Sequence, residues 1–203
     1  LVPFLAYVLL NIPLALLVMQ LLAIDLGTDV LPALALGVDP PESGIMTRPP
    51  RSREERLLNI SLLGRSLFLG AFEVLGSMVG CLMTWVAGGW RWGLPLASNN
   101  PLYRKGTTMT LAGIVAAQVG NVFACRTSRS SVFKVGFFKN KWIFAGILGE
   151  LCIIAGIVYL PSLQTVFGTA SIGLGDWAFL FMFAPILFFS EEIRKFLLRR
   201  FHP

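Results

Sequence analysis

The run LVPFLAYVLLNIPLALLVMQLLAIDLGTDVLPALALG fills residues 1–37 and carries only two charged side chains, Asp25 and Asp29. A bilayer's hydrocarbon core is crossed by roughly 20 apolar residues of helix, and stretches of that kind recur along the chain. Every backbone amide inside lipid must find its partner within the protein, which a helix provides by itself. Over the whole chain 55% of residues are hydrophobic, 14% are charged and the mean hydropathy is +0.72, whereas a soluble domain carries about 25% charged residues. The predicted fold is therefore all-α, a polytopic membrane helix bundle of about six transmembrane helices.

Hydropathy places the spans at about residues 1–10, 14–37, 64–87, 107–125, 142–160 and 176–193. The first is short and truncated at Leu1, inside an apolar run, so the chain is expected to be part of a longer protein. Asn11-Ile12-Pro13 is predicted to turn, because proline disfavours helix at the residue before it. Two polar loops are predicted at about 38–63 and 126–141. Lys and Arg set the orientation. Fourteen of the seventeen fall in these loops, at Arg65 and in the C-terminal tail, and only Arg91, Arg104 and Lys105 fall on the other side. The basic loops and the C-terminus are thus expected to be cytoplasmic in a multi-pass protein of the cell membrane. The net charge of +6 is accounted for by topology and anionic lipid headgroups, without nucleic acid. Cys81, Cys125 and Cys152 have no metal-like spacing and read as small buried hydrophobes. His202, beside the C-terminus, is not a catalytic candidate. Trp85, Trp90, Trp92, Trp142 and Trp177 cluster near span ends and read as interfacial belts.

Asp25 and Asp29 demand a reason. A carboxylate at mid-membrane costs roughly 2.5–3.5 kcal/mol on insertion scales. At i and i+4 the two share a helix face, with Cβ atoms about 5–6 Å apart, and Thr28 is expected on that face too. Gly27 adds flexibility, and Pro32 removes an amide donor. A locally unwound helix with free carbonyls beside two carboxylates would make an oxygen cage for a hard cation. The alternative is a structural network of hydrogen-bonded acids; pairing with Lys or Arg finds no candidate inside a span. Gln118 and Asn121, three apart in AAQVGN, could join the site or serve as interhelical glue. Glu150, in ILGELC, is a lone acid well inside the fifth span and should face the interior or a wet cavity. Glu191 and Glu192 sit among arginines and are expected to form an interfacial salt-bridged cluster.

These motifs resemble the C-terminal membrane half of the type II P-type cation-transporting ATPases, which include calcium, sodium/potassium and proton/potassium pumps. Residues 20–51, QLLAIDLGTDVLPALALGVDPPESGIMTRPPR, look like the family's sixth membrane helix and the loop after it. PFLAYVLLNIP resembles the end of helix five, CRTSRSSVF with FFKNK the loop between helices eight and nine, and EEIRKFLLRR the close of helix ten. The resemblance implies that the six spans are helices five to ten and that residues 1–203 form the C-terminal transmembrane domain of such a pump. It also implies cation ligands at Asp25, Thr28 and Asp29, a flanking polar face at Gln118 and Asn121, and an additional-site acid at Glu150. Reticulum-type calcium pumps have asparagine at the Asp25 position. The sodium/potassium branch has aspartate at the Asn121 position, and DPPESGIMTRPPR is closer to the calcium branch. The transported cation is thus sodium, potassium or calcium.

The chain contains no Asp-Lys-Thr-Gly phosphorylation motif and no Thr-Gly-Glu-Ser loop. ATP hydrolysis is not expected of it alone. Mg and ATP are expected only in cytoplasmic domains of the same polypeptide, and its other partner is the lipid bilayer; nothing identifies an accessory subunit. Two further readings stand beside the pump: a stand-alone small membrane carrier or channel subunit using the same acids, and an inactive partial product.

Overall fold

The computed structural model describes residues 2–40, 60–127 and 130–201. The expected loop at 38–63 therefore lies largely outside the described residues, with Arg48, Arg51, Arg53 and Arg56; so do Leu1, Arg129 and His202. All regular structure among the described residues is helical. Helix α1 (Val2–Leu10) has nine residues, about 14 Å at 1.5 Å per residue, and is too short to cross a bilayer. Among the described residues five helices are long and apolar enough: Val18–Gly37, Leu62–Ala87, Pro101–Cys125, Lys141–Tyr159 and Leu174–Arg200.

Their boundaries differ from the hydropathy reading for local reasons. Asn11 turns the chain with φ 52°, and helix α2 (Val18–Ala23) begins only at Val18. The Leu17 amide donates to Gln20 Oε1 at 3.2 Å, and the Gln20 amide donates to Thr107 Oγ1 and the Phe167 carbonyl. One buried glutamine thus ties three segments together. A π-helical turn, Ile24–Thr28, links α2 to α3 (Val30–Gly37). Helix α4 covers Ile60–Ala87. Helix α5 (Pro101–Cys125) starts six residues before the expected 107, because Asn100 caps it and Pro101 opens it. The charges at its start are absorbed by partners: Arg104 Nη2 donates to the Gln164 carbonyl at 2.9 Å, and Lys105 pairs with Asp176 at 3.1 Å.

A short helix α6 (Val132–Val135) precedes α7 (Lys141–Tyr159). The expected loop before the last span contains helix α8 (Pro161–Phe167), opened by Pro161 and stopped by Gly168 at φ 64°. The last span is two helices, α9 (Leu174–Phe181) and α10 (Phe183–Phe201). Pro185 lacks the amide that would bond the Phe181 carbonyl, which accounts for the break at Met182.

Helix α5 is the centre. Of its apolar stretch 78% is buried, against 28–33% for the other four spans. Small residues make this possible by letting backbones approach. A Cβ on Gly113 would stand 2.8 Å from Ser77 Cα of α4, and one on Gly120 would stand 2.3 Å from the Ala184 carbonyl oxygen of α10.

One end of the bundle is basic. Arg126 grips Asp39 through two hydrogen bonds of 2.9 and 3.0 Å and also holds the Gly136 and Phe137 carbonyls. Arg65 lies 3.0 Å from the fully buried Glu191, which also binds Arg194. Lys195, fully buried, donates to the Ala124 carbonyl, Thr127 Oγ1 and Glu192 Oε1. These bonds satisfy the open carbonyls at the end of α5.

Two surface readings are corrected. Trp85 and Trp90 are 0% and 6% exposed, packed with Tyr103 in an aromatic core at the opposite end. They sit in the crossing of α4 and α5, whereas Trp92 and Trp142 are exposed. Cys125 and Cys152 are exposed, and of the three cysteines only Cys81 is buried.

Candidate cation site

The stretch around the two aspartates is not unwound. It is widened into a π-helical turn, closed by the Asp29 amide donating to the Ile24 carbonyl at 2.9 Å. Such turns insert into α-helices and recur at functional sites. The wider turn changes which residues align. Thr28 is 1% exposed and faces α5, while Asp25 is exposed on the open side of the helix. Residues three apart separate around a turn of more than 3.6 residues, so the expected sharing of one face by Asp25 and Thr28 does not occur. Residues four apart stay near each other, and the Asp25 and Asp29 carboxylates lie within charge–charge range.

Gln118 is the joint. Its Oε1 accepts from Thr28 Oγ1 at 3.3 Å, and its Nε2 donates to Asp29 Oδ1. The Thr28 hydroxyl also reaches the Ile24 carbonyl at 3.2 Å. Pro32 cannot offer the amide that would normally meet the Thr28 carbonyl. Asp29, Pro32, Gln118 and Asn121 line one cleft of about 320 Å³ between α3 and α5. Asn121 accepts from the Cys125 thiol at 3.4 Å. The structure thus joins Thr28, Asp29 and Gln118 by direct bonds, puts Asn121 in the same cleft, and leaves Asp25 beside it.

Glu150 is fully buried, and both its carboxylate oxygens lack a hydrogen-bond partner among the described residues. Its helix α7 is pressed against the π turn. Ile153 lies against Gly27, and Gly146 and Gly149 admit Leu31. Burying an unpaired carboxylate is among the most expensive arrangements a membrane helix can hold. The charge of Glu150 reaches Asp29 and also Glu73 of α4. Glu73 is an acid inside a membrane span that the sequence reading missed. Its signal was present, a lone acid in the apolar segment LFLGAFEVLGSM. Among the described residues no Lys or Arg forms an ion pair with Asp25, Asp29, Glu73 or Glu150. No three His, Cys, Asp or Glu side chains among them converge closely enough to hold a metal by themselves. Among the described residues, carbonyl and amide oxygens are the groups at hand to extend a coordination shell, as suits a hard cation.

The chain matches the family described as cation transporting ATPase, C-terminus, over residues 13–197. It is 30% identical over 186 residues to calcium-transporting ATPase 1 of Saccharomyces cerevisiae, covering 90% of this chain and 18% of that protein. It is 32% identical over 225 residues to the sodium/potassium-transporting ATPase subunit alpha-2 of Gallus gallus, covering 98% and 22%. With the calcium-transporting ATPase of Bacillus subtilis it shares 33% identity over 176 residues, covering 83% and 18%. The chain spans about a fifth of the length of these relatives.

Proposed function

The chain belongs to the family of cation-transporting ATPase C-terminal regions, and from that premise we propose that it is the cation-binding transmembrane portion of an ATP-driven pump. Asp25, Thr28 and Asp29 supply the central oxygens. Gln118 and Asn121 orient them from α5, and Glu150 adds a buried negative charge from α7. The observation that carries this reading is the Gln118 bridge, which ties a carboxylate and a hydroxyl of a π turn to the most buried helix of the bundle. Amides used only to glue helices do not need a carboxylate on an open cleft; a ligand-positioning amide does.

The basic end faces the cytoplasm in this reading, where the remaining domains of the same polypeptide would bind Mg and ATP and take up the phosphoryl group. Phosphorylation there would shift the helices so that the site opens to one side and then the other. Calcium and sodium/potassium pumps are similar to the chain at nearly equal identity, so the ion is one of these three. The test is Asp29→Asn in the full-length polypeptide that contains this chain. Loss of cation-dependent phosphorylation is expected, with unchanged abundance in the membrane. Phosphorylation with normal cation dependence in that variant would sink the assignment.

A further inference from the structure

We propose that Glu73 is a specificity-determining residue of the cation site, a charge supplied by a third helix that favours cations of higher valence. The inference rests on the cation-site reading above and extends it to α4. Glu73 shares a helix face with Leu69, Ser77 and Cys81, all buried. That face packs on α5, where Ser77 meets Gly113 at backbone contact. The two helices run antiparallel, so one turn from Ser77 toward the basic end brings Glu73 level with Ala117, next to Gln118.

Depth agrees. Arg65 reaches the Ala124 and Thr127 carbonyls at the basic end. Glu73 lies eight residues further along α4, about 12 Å at 1.5 Å per residue. Asp29, Gln118 and Glu150 lie seven to nine residues inside their own helix ends, at the same depth. The Glu73 charge is in range of Asp29, and Glu150 is in range of both. Helix α5 contributes only amides here, and among the described residues the acids at this depth beyond the aspartates stand on α4 and α7. Glu150 is an independent sign of uncompensated negative charge at this depth, because its two buried oxygens have no hydrogen-bond partner among the described residues.

Glu73 is not close enough to ligate together with the others. It acts through space, and that has a signature. The interaction energy of a fixed charge with a bound ion is proportional to the ion's charge. Loss of Glu73 must therefore weaken a divalent ion by twice the free energy lost for a monovalent one.

The experiment measures equilibrium binding of Ca²⁺, Na⁺ and K⁺, each added alone, to the full-length polypeptide in detergent. Wild type, Glu73→Gln, Glu73→Asp and Asp29→Asn are compared. Glu73→Gln should weaken a monovalent ion about 15-fold and Ca²⁺ about 250-fold, for a unit charge about 10 Å away at an effective dielectric near 20. Glu73→Asp should stay within about threefold of wild type. If wild type binds ions of only one valence, the inference stands on loss in Glu73→Gln with retention in Glu73→Asp. Unchanged binding in Glu73→Gln overturns it. So does an equal loss for both valences shared by Glu73→Asp, which would mark a packing role. Asp29→Asn separates the two readings. If Asp29→Asn loses binding while Glu73→Gln binds normally, only the Glu73 inference falls. Normal binding in Asp29→Asn sinks the cation-site assignment whatever Glu73 does, and no saturable binding by wild type sinks both.

Discussion

Gln118 holds both the Thr28 hydroxyl and the Asp29 carboxylate, so truncating it has a direct consequence. Gln118→Ala removes the amide that donates to Asp29 Oδ1 and one of the two acceptors within reach of the Thr28 hydroxyl, the other being the Ile24 carbonyl. A buried polar group left without its partner loses roughly 1–3 kcal/mol, which corresponds to about a tenfold weaker cation affinity. Titration of cation-dependent phosphorylation in the full-length polypeptide checks this, and unchanged half-saturation would remove Gln118 from the site. The individual candidates were legible because acids and amides are rare in apolar spans and expensive there. Their roles were less so. Asp25 and Thr28 read as neighbours on an ideal helix, yet the π turn sends one outward and the other into the core. Glu73 carried the same signal as Glu150, a lone acid in an apolar span, and went unread all the same.

At the scale of elements, α5 controls the packing. Gly120 touches the Ala184 carbonyl so closely that any side chain must push α10 away. Gly120→Leu should lower the stability of the detergent-solubilised protein by about 1–3 kcal/mol or more, as overpacking does. Thermal unfolding reads this, and an unshifted midpoint would mean that α5 and α10 do not meet there. Element existence was legible from hydropathy and the boundaries were not. Hydropathy ends a helix at its charges, but Arg104 and Lys105 keep the helical backbone and place their charges on Gln164 and Asp176. Similarly, a Gly/Ser-containing connection gave no apolar signal for α8, which Pro161 and Gly168 delimit.

The whole molecule has two unlike ends. Arg65, Arg126, Arg194 and Lys195 gather at one, with their acid partners and the carbonyls at the end of α5. The aromatic core of Trp85, Trp90 and Tyr103 lies at the other. An impermeant thiol reagent applied to sealed vesicles should distinguish them. In a background without native cysteines, Arg91→Cys should label from the extracytoplasmic side and Lys139→Cys only from the cytoplasmic side. Labelling of both from one side would overturn the orientation.

Composition and hydropathy by themselves determined that this chain crosses membranes as helices, because an unsatisfied backbone in lipid leaves no other option for long apolar runs. Rare polar residues in those runs marked where function concentrates, because lipid makes each one costly. The tertiary structure alone decided which helix is central, which tryptophans are core and which acids share a depth. Those properties depend on the azimuth of each helix and on close approaches such as Gly113 to Ser77 and Gly120 to Ala184. Neither is encoded in any single segment; both emerge only when five helices compete for one another's small-residue faces.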